Sequence, residues 1–187
     1  IANQSKNDNM LKARLGLALY LNPKSERARF LIAQALSEIN QKQSAKEQLA
    51  GIDNTGVWSQ PRLLLEVNLD RSDNIDLAIS RLQSYLDKDR KNAFLQKELG
   101  DLYRISDQLD KARDAYLMAI SLGLSSAALD RNLAISYEQL EEDHLAEDSF
   151  QAALRKNPQD PFTLNYLGYW WADEGRNLEG AIDLIER

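Results

Sequence analysis

The strongest constraint on what this chain can fold into is that it repeats itself. Leu99-Gly100, Tyr103, Ala112, Tyr116 and Ala119 recur as Leu133-Ala134, Tyr137, Ala146, Phe150 and Ala153, every pair offset by 34 residues. One step back places Leu65, Leu69, Ala78, Leu82 and Tyr85 in the same register, and a further step places Ile32, Ala33, Leu36, Ala45, Leu49 and Ile52. Forward, Leu164, Leu167-Gly168 and Trp171 match, and Ala181 arrives one place late, which an insertion within Asp173-Glu174-Gly175-Arg176-Asn177 explains. Such a period marks stacked supersecondary units, each unable to bury its apolar face alone.

Within a unit the spacing is helical. Leu109, Ala112, Tyr116, Ala119 and Ile120 form the apolar stripe of an amphipathic helix, and each unit carries two such helices. Breaks fall between units, at Asn22-Pro23, Asn157-Pro158 and Asp160-Pro161, because proline cannot continue a helix and restrains the residue before it. Ser106-Asp107 and Asp143 stand at inner turns as expected N-caps. The small residues Gly100, Ala134 and Gly168 let helix backbones approach, and aromatics a turn later fill the wedge. The pattern predicts an all-α chain of eleven helices, near 9–21, 26–39, 43–53, 59–71, 74–87, 92–105, 108–122, 126–140, 143–156, 160–174 and 178–187.

The repeated residues resemble the tetratricopeptide repeat, whose pattern within 34 residues is a large residue, Leu-Gly, Tyr, Ala, an aromatic, Ala and Pro. The resemblance implies one α-α superhelical solenoid over 1–187: a half repeat at 1–25, full repeats at 26–58, 59–92, 93–126 and 127–160, and a truncated repeat at 161–187. A repeat leaves apolar surface uncovered at an open end, so the native polypeptide is expected to extend beyond both ends of this sequence. At the front, Leu11, Leu15 and Ala18 lack the first helix that should pair with them.

Chemistry has little footing. There is no cysteine, which excludes disulfides and thiolate sites, and the single histidine, His144, has no second ligand or orienting carboxylate to work with. Phosphate-loop, zinc-protease and nucleophile-elbow motifs are absent, and the carboxylate runs at Glu141-Glu142-Asp143 and Glu147-Asp148 read as solvated helix ends. The expectation is a non-enzyme without metal or cofactor. The net charge of −6 divides into +4 over residues 1–50 and −10 over the rest, which argues against a nucleic-acid partner. No apolar run reaches the roughly 18 residues needed to span a bilayer.

What remains is binding. The family's geometry puts first helices on a concave face, implying a groove lined by Phe94, Lys97, Glu98, Asp101 and Arg104; then Ala128, Arg131, Asn132, Ile135 and Glu138; then Phe162, Asn165, Tyr166, Tyr169 and Ala172. Tyr166 and Tyr169 are the candidate interface anchors, since aromatics with a polar tip give area at low entropic cost. Trp171 takes the family's core tyrosine place, and Trp170 stands where a small residue is usual. The heat-shock co-chaperones of this family clamp a peptide's terminal carboxylate with Lys and Asn. Lys97 and Asn132 match two of those places, but Asp101 replaces an asparagine, and Phe162 and Tyr166 replace Lys and Arg. An aspartate there repels a carboxylate, so this clamp is not expected to work.

Residues 164–182 resemble a variant repeat of bacterial cell-envelope proteins, several of them outer-membrane lipoproteins. That implies an adaptor in the periplasm or at the outer membrane, with the cytoplasm as the alternative. The leading reading is a scaffold for a protein or peptide partner. The competing one is a structural solenoid that associates with its own copies through open ends.

Overall fold

The computed structural model describes residues 16–17 and 19–186, and every described element is helical. Ten helices follow in pairs: α1 (Glu26–Glu38) with α2 (Lys42–Ala50), α3 (Ser59–Arg71) with α4 (Ile75–Leu86), α5 (Ala93–Ile105) with α6 (Leu109–Ser121), α7 (Ala127–Gln139) with α8 (Asp143–Lys156), and α9 (Pro161–Asp173) with α10 (Leu178–Glu186). Residues 16, 17 and 19–21 belong to the first expected helix. The rest of that helix, with Leu11, Leu15 and Ala18, lies outside the described residues.

The chain divides into two compact units, residues 1–82 and 83–187. In the first, Ala33, Ala45, Leu49, Ile52 and Leu69 form a buried cluster flanked by Phe30 and Trp58, whose rings lie 5.2 Å apart. Charge is buried there too. Asp70, 1% exposed, accepts from Arg81 Nε at 2.9 Å and sits 2.6 Å from Lys46 Nζ, while Glu66 is held by Arg62 and Arg81, each at 2.9 Å. In the second unit α5 packs on α6, α7 on α8 and α9 on α10, and successive pairs touch through α6–α7 and α8–α9.

The repeat positions behave as their chemistry requires. Ala112, Ala119, Ala134, Ala146 and Ala153 are fully buried, as are Tyr116 and Phe150. A Cβ on Gly100 would fall 2.6 Å from the Tyr116 ring, and one on Gly168 would fall 2.8 Å from Ile185 Cγ1. At Gly100 and at Gly168 a larger residue would crowd the neighbouring helix.

The inner turns depart from expectation. Ser106-Asp107 and Asp143 are not N-caps: the caps of α6 and α8 are Gln108 and Glu142, and neither side chain accepts from an amide of the helix's first turn. Instead the preceding helix closes in a left-handed residue, Asn40, Asp107, Glu141 or Gly175, each with φ between 59° and 65°. The next amide then reaches back across the turn, from Gln41 to Leu36 O, Gln108 to Tyr103 O, Glu142 to Tyr137 O and Arg176 to Trp171 O, each at 2.8 Å. This is the Schellman arrangement, which satisfies carbonyls left over at a helix end. One residue separates the left-handed residue from the next helix at Gln41, Gln108 and Glu142. Arg176 and Asn177 both stand there before α10, which is the extra residue the sequence showed.

Candidate functional site

All fifteen candidate groove residues fall in the second unit, on its first helices α5, α7 and α9. On α5, Lys97 and Asp101 are one turn apart and pair at 2.6 Å, and Glu98 lies 3.0 Å from the same ammonium. Asp101 also reaches outward: its Oδ1 accepts from Tyr116 OH on α6 and from Asn132 Nδ2 on α7, both at 2.8 Å. One carboxylate thus ties three helices, using most of its acceptor capacity. Burial alone would lower the Lys97 pKa, but the Asp101 and Glu98 carboxylates outweigh it and hold the ammonium above the usual lysine value. Burial, then the Asp101 charge, pushes the Tyr116 phenol well up.

The two donors that match the carboxylate clamp are therefore committed within the chain. Lys97 and Asn132 both serve Asp101. Arg104, at the end of α5, is half-buried with its Nε lacking a hydrogen-bond partner, and its charge is felt by both Tyr116 and Tyr166.

On α7, Arg131 donates to Asp160 Oδ2 at 2.6 Å and lies 5.3 Å from the centre of the Phe162 ring. Asp160 caps α9, accepting from the Thr163 amide at 3.2 Å and from its hydroxyl, with Pro161 in the first turn. Its burial would raise the carboxyl pKa, but the Thr163 and Arg131 hydrogen bonds prevail and hold it below the ordinary value. The cap thus fixes the backbone at Phe162, a residue 71% exposed.

Along α9 the aromatics separate into two roles. Tyr166 is half-buried, stacks on Phe150 at 5.4 Å and donates to Glu138 Oε2 at 3.0 Å; burial and that carboxylate push its pKa up to about 12. Tyr169 is 59% exposed, with Asn165 exposed beside it, and Phe94 on α5 is 43% exposed. Trp170 is the buried tryptophan, 6.0 Å from Phe150 and beneath the Arg176 guanidinium at 5.5 Å, while Trp171 is only half-buried. The sequence pattern alone pointed the other way.

His144 is exposed as the second residue of α8. No cluster of three metal-ligating side chains occurs among the described residues, and no described helix is long and apolar enough to cross a membrane. In the first unit an open cleft is lined by Lys24, Arg27, Arg29 and Trp58, and of its polar side chains Arg29 donates to Pro23 O at 3.0 Å and Glu26 accepts from the Asp53 amide at 2.7 Å.

Paired helices in a repeating register, with a polar and aromatic face on the first helices, have the architecture of a tetratricopeptide-repeat protein. No family model and no curated protein matches the chain. Among solved structures it is similar to MamA, at 19% identity and a TM-score of 0.68 over 84% of this chain and 92% of that one. It is likewise similar to YrrB, described as a TPR protein with an unusual peptide-binding site, at 17% identity and 0.65 over 87% and 86%. PilF of Pseudomonas aeruginosa gives 17% identity and 0.73 over 86% and 75%. At these identities the likeness fixes the fold.

Proposed function

We propose that the chain is a non-enzymatic scaffold that binds a protein or peptide partner across α5, α7 and α9. The observation that carries this reading is the division of labour on those helices. Asp101, Lys97, Asn132 and Tyr116 are locked together, so the face is stiff before any partner arrives, and Phe94, Phe162 and Tyr169 stand exposed beside it. A pre-organised polar frame with exposed aromatic anchors lowers the entropic cost of binding and supplies the residues that dominate interface energy. Arg104 adds a half-buried donor for a partner's carbonyl or carboxylate oxygen.

The envelope resemblance of residues 164–182 supports a bacterial periplasmic or outer-membrane adaptor. YrrB, of the same fold, is described as having a peptide-binding site, which supports a peptide ligand here. The experiment is affinity capture from a bacterial envelope fraction with the native protein and with a Phe162→Ser, Tyr169→Ser variant, read by mass spectrometry. A partner held by the first and lost by the second supports the reading. Equal recovery by both refutes this face as the site.

A further inference from the structure

We propose that the partner is a peptide segment carrying a lone aspartate or glutamate, whose side-chain carboxylate is held by the guanidinium of Arg104. This rests on the reading of α5, α7 and α9 as the partner face and names the chemistry that the face selects. The face carries three cations, Lys97, Arg104 and Arg131. Two of them are neutralised within the chain, Lys97 by Asp101 at 2.6 Å and Glu98 at 3.0 Å, and Arg131 by Asp160 at 2.6 Å. Arg104 forms no ion pair with any described residue, and its Nε is buried without an acceptor. It stands in the last turn of α5, and its charge acts on the hydroxyls of Tyr116 from α6 and Tyr166 from α9. Asp101, three residues before it, is spent on Lys97, Tyr116 and Asn132.

An arginine cannot shed its proton, so a half-buried guanidinium without a counter-ion carries a standing cost that an incoming carboxylate removes. Its planar fork also matches a carboxylate with two parallel N–H···O bonds. The surrounding charge selects the ligand's valence. Glu98, Asp101, Glu138 and Asp160 outnumber the three cations, so a phosphate or an acidic run would meet repulsion, while a lone carboxylate among neutral residues would not. Depth selects its source. A side chain reaches a half-buried guanidinium by ordering one or two rotamers. A chain terminus would carry its own backbone down beside Tyr116 and Tyr166, whose hydroxyl protons are already given to Asp101 and Glu138. The exposed rings of Phe94, Phe162 and Tyr169 are left for apolar residues of the same segment.

Peptides selected from a random display library on the native chain test this. They should share one Asp or Glu among apolar residues, and changing it to Asn or Gln should weaken binding roughly tenfold or more by calorimetry. Arg104→Gln should weaken the acidic peptide by a similar factor and abolish the difference between acid and amide peptides. Arg104→Lys keeps the charge without the fork and should retain part of that difference. Circular dichroism checks that both variants fold. Amidating the peptide's C-terminus should leave the affinity unchanged; lost binding there would make the terminal carboxylate the ligand and overturn the proposal. Peptides with no shared acid overturn it as well, as does an acid-to-amide cost that persists undiminished in Arg104→Gln. In either case the partner face survives if those peptides still depend on Phe162 and Tyr169. Peptides that need Arg104 but bind Phe162→Ser, Tyr169→Ser unchanged support this site and overturn the aromatic anchors, and a library without a binder overturns both.

Discussion

Gly100→Ala sets two effects of known sign against each other. In a helix interior alanine is favoured over glycine by about 1 kcal/mol, so helix propensity alone predicts stabilisation. The structure predicts the reverse. The new methyl would lie 2.6 Å from two carbons of the Tyr116 ring and 3.1 Å from a third. That ring is fully buried, and its hydroxyl is tethered at 2.8 Å to Asp101, which Lys97 and Asn132 also hold. Overpacking costs about 1–3 kcal/mol, and at a site that cannot yield the upper part of that range applies, leaving a net loss of up to about 2 kcal/mol after the propensity gain. Urea unfolding followed by tryptophan fluorescence reads it, since Trp170 and Trp171 report on the second unit. Gly100→Ala should lower the midpoint at unchanged slope. In a Tyr116→Phe background the added loss should be smaller, because the untethered ring can shift. Gly168→Ala should cost less than Gly100→Ala, since its shortest contact, at 2.8 Å, is with the 38% exposed Ile185 side chain, and the Ala181 carbonyl oxygen is 3.2 Å away. A raised midpoint for Gly100→Ala would refute the close helix contact on which the repeat register rests.

Other outcomes follow from single sites. Glu141 holds φ at 61° without being glycine, so Glu141→Gly should stabilise by about 1 kcal/mol, and Asp107→Gly by less because aspartate tolerates that region better; thermal melts compare them. Asp160→Ala removes the α9 cap and leaves Arg131 and Thr163 without their acceptor, for an expected loss of about 2 kcal/mol in urea. Because the Asp160 pKa is depressed on folding, its contribution is present above the ordinary aspartate value and disappears as pH falls through the lowered one. The wild-type should therefore lose stability in that acid window, and Asp160→Asn should flatten the profile there. Tyr166 works at the other end: its folded pKa near 12 lies above the ordinary tyrosine value, so its contribution is complete below about 10 and is lost as pH rises towards 12. Tyr166→Phe should reduce the alkaline loss measured by circular dichroism.

The pairing of helices was legible because it depends on spacing. Ala112, Ala119, Ala146 and Ala153 recur on schedule and are all fully buried, and the late arrival of Ala181 located the added residue before α10. The turns were not legible from residue type, because aspartate and asparagine suit both an N-cap and a left-handed helix end, and Asp107 takes the second role. Neither was the choice between Trp170 and Trp171, which depends on the Phe150 ring and the Arg176 guanidinium arriving from other helices. Candidate residues could be placed on first helices by counting. The bonds from Asp101 to Tyr116 and Asn132 span 15 and 31 residues, and no local pattern encodes them. Tyr166 and Tyr169 looked equivalent in the sequence, yet one is a half-buried strut bonded to Glu138 and the other is exposed.

The central claim is that the exposed aromatics of α5 and α9 receive a partner. A peptide selected from a display library on the wild-type chain should bind, by calorimetry, with an affinity that falls roughly tenfold or more in Phe162→Ser, Tyr169→Ser, as loss of two aromatic anchors requires. Leu117→Ser, at a 41% exposed position on the second helix α6, should bind it unchanged. Undiminished affinity in the double variant, with loss in Leu117→Ser, would contradict the account.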